Sequence, residues 1–169
     1  MNYKYCPQCG SSLELREIGD EGLVPFCSPC SIPYFDSFGN CIITLVVNEH
    51  NELALLKQEY VSMTNWVLVA GYMKKGETLE ESVRREVAEE TGQIAEELEY
   101  ISSYYYEKKE LLMVGFKCNV IKRAFLSSKE VDNIGWFSFD EAEQLLREGS
   151  IAHKLLMNVK NSRMNKANE

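Results

Sequence analysis

The sequence predicts an α+β fold: one mixed sheet with helices packed on it, preceded by a small metal-braced module. Three observations predict this. Apolar, β-branched runs alternate with helical patterns from residue 35 onward. Two C-x-x-C pairs stand near the N-terminus. One helical stretch carries carboxylates at i, i+3 and i+4 beside an apolar stripe.

The N-terminal module comes first. Cys6-Pro-Gln-Cys9 and Cys27-Ser-Pro-Cys30 are seventeen residues apart. That spacing lies in the range of a four-thiolate zinc site. Each pair can turn tightly and point two sulfurs at one tetrahedral ion. Gly10 supplies the permissive backbone such a turn favours. Four soft ligands leave no open position, so this Zn²⁺ is expected to be structural. A redox C-x-x-C, or four ordinary buried thiols, is the competing reading. So short a module buries little core, and the metal would supply its folding energy. Residues 1–34 are assigned to this zinc ribbon and 35–169 to a second domain, with residues 31–40 as the connector.

Within the second domain, Cys41–Val47 is an apolar, β-branched run that fits a buried strand. Asn48–Asn51 reads as a turn and Leu53–Gln58 as the partner strand. Trp66–Val69 is a short strand running into Ala70-Gly71. A helix is expected over Thr78–Thr91, with Thr78 and Glu81 as a capping box and Gly92 as the stop. Strands near Leu98–Tyr106 and Leu111–Ile121 flank the polar turn Glu107–Glu110. A last strand, Trp136–Phe139, precedes helices at about Asp140–Glu148 and Ala152–Asn161. Cys41 and Cys118 read as small buried hydrophobes, and Trp66 and Trp136 as core aromatics.

Composition narrows the function. The chain of 169 residues is 45% hydrophobic, which fits a globular protein. No apolar run approaches the roughly 20 residues of a membrane helix. The N-terminus lacks the apolar core of a signal peptide, so a cytoplasmic location is expected. A net charge of −8 argues against broad, charge-driven nucleic-acid binding. It leaves open recognition of a single nucleotide end.

The carboxylates carry the chemistry. At about 100° per residue, Leu79, Val83 and Val87 make one stripe. Glu86 and Glu90 fall on or beside it, and Glu89 on its flank. Charges at a core edge are costly without a partner. A solvated acidic helix paired with Lys and Arg is the bland alternative. A bound Mg²⁺ or Mn²⁺ would offset the cost, because hard cations take oxygen ligands. Gly71 and Gly76 bracket a tight loop that lets backbone approach a phosphate at the helix N-terminus. Arg85 can hold the carboxylates in place.

These residues resemble a known family. Gly71-x5-Glu77-x7-Arg85-Glu86-Val87-x-Glu89-Glu90-x-Gly92 looks like the Nudix box. It departs only after Gly92, where a hydrophobic residue is usual and this chain has Gln93; Ile94 is expected to take over its packing. The chain is most similar to the NADH pyrophosphatase branch. It shares the preceding ribbon, the Leu68–Tyr72 approach to the box, Glu130 six residues before Trp136-Phe137, and Ser150-Ile151-Ala152. The branch's Ser-Gln-Pro-Trp-Pro-Phe-Pro array is replaced by Ser103–Lys109, and Lys74 stands where the branch usually has glutamate.

The resemblance implies an α-β-α sandwich and a metal-dependent pyrophosphohydrolase. Glu86 and Glu90 are expected to bind Mg²⁺ or Mn²⁺. Glu89 binds a further ion or takes the proton from water. Glu130 completes the metal cluster or serves as base. Glu77 buttresses Arg85. Ala70, Gly71, Tyr72, Tyr104, Tyr106 and Ala152 are the implied substrate contacts; packing is the alternative for the tyrosine run. The substrate would be a nucleoside diphosphate linked to another group. NAD(H), cleaved to NMN(H) and AMP, comes first, with ADP-ribose, FAD-like compounds and NAD-capped RNA ends behind it. A homodimer is also implied. A non-catalytic nucleotide sensor and a ribbon that binds nucleic acid or protein are the readings from other classes.

Overall fold

Glycine and β-branched residues set the frame from Gly39 onward. The computed structural model describes residues 3–59, 61–126 and 131–167. The chain divides into two compact units, Met1–Phe38 and Gly39–Glu169. The division falls between Phe38 and Gly39, inside the expected connector 31–40. The second sheet's hydrogen bonds begin at Gly39, whose N–H donates to Glu110 O at 3.1 Å.

The first unit holds a small antiparallel sheet of β1 (Glu14–Glu17), β2 (Leu23–Cys27) and β3 (Ile32–Pro33). Only a few of its residues are buried, among them Cys6, Val24, Phe26 and Cys27. A core that small leaves the cysteine cluster to supply the cohesion.

The second unit is a six-stranded mixed sheet. Its strands are β4 (Gly39–Asn48), β5 (Leu53–Lys57), β6 (Val69–Tyr72), β7 (Glu97–Tyr106), β8 (Leu111–Val120) and β9 (Asn133–Phe137). The order is β7-β8-β4-β5-β9, and β6 pairs with β4. β4 and β8 run parallel and pair along their full length. The helices are α1 (Leu79–Thr91), α2 (Phe139–Leu145) and α3 (Ile151–Ala167).

β4 explains the layering. Its apolar run is continuous because both faces are covered. Ile42 and Val46 point into one core with Val83 and Val87 of α1. Ile43, Leu45 and Val47 point into the other, with Phe139, Ala142, Leu155, Leu156 and Val159 of α2 and α3. The unit is thus an α-β-α sandwich. Val83 and Val87 are fully buried, each contributing about 1.5–3 kcal/mol.

Two expected boundaries shift. Strand β6 begins at Val69; Trp66 and Val67 make only isolated bridges. Phe139 starts α2 instead of ending β9, because Ser138 and Glu141 form a capping box.

Candidate metal centres and active site

The ribbon cysteines converge. Their four sulfurs lie within 4.8 Å of one another. Cys6 and Cys30 are 4.0 Å apart, and Cys9 and Cys27 3.5 Å. A tetrahedron with Zn–S bonds of about 2.3 Å needs sulfurs about 3.8 Å apart. The turns that deliver them are matched: Gly10 (φ 76°) and Ser31 (φ 55°) each follow the second cysteine of a pair in left-handed conformation. Tyr34 Oη lies 3.0 Å from Cys6 Sγ and holds that thiol down to about 6. Cys30 is pushed up to about 12, first by its bond with Cys9. The four thiols thus resist ionising together without a cation, so the donor set fits a closed Zn²⁺ site.

The second site is organised by Arg85. Thr78 and Glu81 cap α1 as expected, and Gly92 ends it with φ 71°. Arg85 then folds back over the first turn. Its Nε and Nη2 donate to the two oxygens of Glu77 at 2.6 and 2.9 Å. Nη2 also reaches Tyr72 O at 3.0 Å. Nη1 donates to Glu86 Oε1 at 2.5 Å and to Glu89 Oε2 at 3.1 Å. One guanidinium therefore binds strand β6, the loop and two glutamates of the helix. The grip of Arg85 holds the Glu77 carboxyl down to about 2. Burial pushes Glu86 up, against the pull of the same Arg85.

Glu90 is nearly sealed, at 5% exposure. Its Oε1 accepts from Gln58 Nε2 at 2.7 Å. Sequence reasoning missed Gln58; a polar residue closing an apolar strand was the available signal. Glu89, half exposed, takes Lys74 Nζ on Oε1 at 3.4 Å. Gly71 is required by close approach: a Cβ there would lie 1.9 Å from Glu86 Oε1. That missing side chain makes the cradle for the Glu86 carboxylate. Glu86, Glu89 and Glu90 carry hard oxygen donors on one side of α1, the donor type a divalent cation takes, but among the described residues their oxygens do not converge as the ribbon sulfurs do. Glu130 lies outside the described residues.

The implied substrate contacts divide between the faces of the sheet. Gly71 faces α1 and Glu86. Ala70, Tyr104 and Ala152 pack against the core beneath α2 and α3. Tyr104 Oη accepts from Asn158 Nδ2 at 2.9 Å. Tyr72 pairs with Cys41 and is exposed, and Tyr106 pairs with Leu111.

One packing expectation is overturned. Ile94 is 53% exposed, whereas Gln93 is fully buried. Gln93 tolerates burial because its amide is satisfied. Its Oε1 accepts from Arg123 N at 3.0 Å and its Nε2 donates to Arg123 O at 3.1 Å.

The NUDIX domain family matches residues 38–159. The chain belongs to the Nudix hydrolase family. Among curated proteins it is similar to the NAD-capped RNA hydrolase NudC of Pectobacterium carotovorum, with 28% identity over 92% of this chain and 58% of that protein. NudC of Salmonella agona is 29% identical over 92% of this chain and 59% of its own length. The chain thus spans about three-fifths of the length of these relatives, which are of the branch its sequence resembles. Among solved structures, a NUDIX hydrolase from Nitrosomonas europaea superimposes with a TM-score of 0.69 at 22% identity, covering 91% of this chain and 88% of that one. The NUDIX domain of Shewanella oneidensis NrtR, solved with ADP ribose, gives 0.64 at 16% identity over 76% and 90%. These two likenesses concern the Nudix fold. No helix among the described residues is long and apolar enough to cross a membrane.

Proposed function

We propose that this Nudix protein hydrolyses the diphosphate bridge of a nucleoside diphosphate derivative, with Mg²⁺ or Mn²⁺ held by Glu86, Glu89 and Glu90. The observation that carries the reading is the Arg85 network. It brings Glu77, Glu86 and Glu89 onto one guanidinium, beside buried Glu90 and beneath the Gly71 cradle. A divalent cation bound there would lower the pKa of water and neutralise charge on the diphosphate. Arg85 orients Glu86 and Glu89. Glu77 fixes Arg85 and needs no contact with substrate. Glu89, the most exposed of the three helix glutamates, accepts the proton of the attacking water, or Glu130 does so in its place.

NAD(H) and an NAD-capped RNA end are the first substrates, a reading supported by the likeness to NudC. The replaced segment Ser103–Lys109 favours keeping ADP-ribose and FAD-like compounds beside them. Tyr72 would stack on a base. The ribbon, with Zn²⁺ on Cys6, Cys9, Cys27 and Cys30, would brace the protein, and a cytoplasmic homodimer belongs to the same reading.

The test is a panel of these compounds with Mg²⁺ or Mn²⁺ and products identified by mass. NAD(H) is expected to give NMN(H) and AMP. Glu89→Gln is expected to slow turnover by about 10²–10⁴-fold. A wild-type protein that cleaves no anhydride in the panel sinks the reading.

A further inference from the structure

We propose that Lys74 gates divalent-cation loading: its ammonium occupies Glu89 until a diphosphate draws it away. The inference rests on the proposed pyrophosphohydrolase site. Both oxygens of Glu89 face protein cations, Lys74 Nζ at Oε1 (3.4 Å) and Arg85 Nη1 at Oε2 (3.1 Å). The two cations differ in freedom. Arg85 is only 16% exposed and is shared among Glu77, Glu86, Glu89 and Tyr72 O. The Lys74 side chain is 61% exposed, and its bond to Glu89 is long.

The base of Lys74 is nonetheless fixed. Its N–H donates to Glu77 Oε2 at 2.9 Å, and Glu77 N–H donates to Lys74 O at 3.1 Å. The loop that grips Arg85 therefore also anchors Lys74. A fixed backbone with a mobile ammonium at its tip suits a switch between two anions. Lysine binds phosphate as a point charge, without the planar geometry arginine imposes.

A divalent ion and the ammonium compete for the same oxygen of Glu89. An exposed ion pair is weak, so Lys74 weakens cation binding without abolishing it. An arriving diphosphate offers the ammonium a richer partner and frees Glu89. Cation and substrate then favour each other reciprocally, as linkage requires.

The experiment titrates Mn²⁺ by electron paramagnetic resonance into wild type, Lys74→Met and Lys74→Arg. Each is measured alone and with a methylene-bridged, non-hydrolysable dinucleotide. Without the analogue, Lys74→Met is expected to bind Mn²⁺ about 2–5-fold tighter than wild type, and Lys74→Arg no tighter than wild type. The analogue is expected to tighten Mn²⁺ binding more in wild type than in Lys74→Met, by about the same factor. Equal Mn²⁺ affinity in wild type and Lys74→Met overturns the gate, as does an equal effect of the analogue on both. Wild-type Mn²⁺ binding unaltered by Glu90→Gln would instead refute the site itself.

Discussion

The ribbon and the Nudix box both carry side chains of metal-ligating type, but these are held differently. In the ribbon two tight turns fix four sulfurs within 4.8 Å of one another. Among the described residues no other set of three or more such ligands is gathered for an ion. In the box the carboxylates are restrained by protein donors, one of them shared. Arg85 holds Glu86 and Glu89, Lys74 holds Glu89, and Gln58 holds Glu90. The lesson is that a closed site is set by backbone conformation, whereas an exchangeable site is set by side chains with alternative partners. A zinc ion on the first would contribute to folding, and a cation on the second would stay open to substrate.

The largest consequence falls on the ribbon. Structural zinc contributes about 10–16 kcal/mol of apparent binding energy to small modules. Cys27→Ser, which removes a fully buried ligand, is expected to release zinc and unfold Met1–Phe38 while the mixed sheet persists. Zinc content and limited proteolysis check this. A ribbon that stays protected from protease without zinc would erase the distinction between the two sites.

A smaller effect is expected from Gly71→Ala. The new Cβ would overlap the Glu86 carboxylate at 1.9 Å. The obstacle is the far end of a flexible side chain, so the fold should survive and Glu86 should move. Misplacement by about 1 Å can cost about 10²-fold in rate. The expected result is a kcat lower by about that factor with Mn²⁺-binding weakened and Tm little changed. Unchanged kcat would show that the cradle does not position Glu86.

Much of this was legible in the sequence because it was local. The capping box, the Gly92 stop and the stripe of Val83 and Val87 all follow from spacing along one helix. The cysteine pairs likewise announce themselves by their separation. What stayed hidden depends on contacts distant in the chain. Gln58 meets Glu90 across 32 positions, and Gln93 meets Arg123 across 30. Hydrophobic pattern gave Gln93 no reason to be buried, since Arg123 N and O, which satisfy its amide at the shortest distances, come from the chain after β8. Tyr34 reaches Cys6 only because the ribbon sheet folds back on itself. The start of α2 at Phe139 was missed for a different reason: an aromatic after a strand reads as more strand until its Ser138 cap is recognised.

The smallest effect separates two glutamates that share one arginine. Glu77 accepts four hydrogen bonds, from Lys74 N, Ser82 Oγ, Arg85 Nε and Arg85 Nη2. Its carboxyl is held down to about 2. Glu86 has Arg85 Nη1 alone among these donors, and burial wins, so its carboxyl is pushed up. The signs then differ. The stabilisation from Glu77 is full above the ordinary glutamate value of about 4.3 and is lost progressively as pH falls from there through about 2. Ionised Glu86 instead costs stability as pH rises through its raised value, and protonation relieves that cost. Carbon-13 NMR of the glutamate carboxyls in metal-free protein should therefore show Glu86 titrating before Glu77 on acidification. In the same range, Glu86→Gln should flatten the upper part of the stability curve and Glu77→Gln the lower part. The reverse order of titration would mean that Arg85 serves Glu86 first, and that the loop rather than the helix supplies the exchangeable carboxylate.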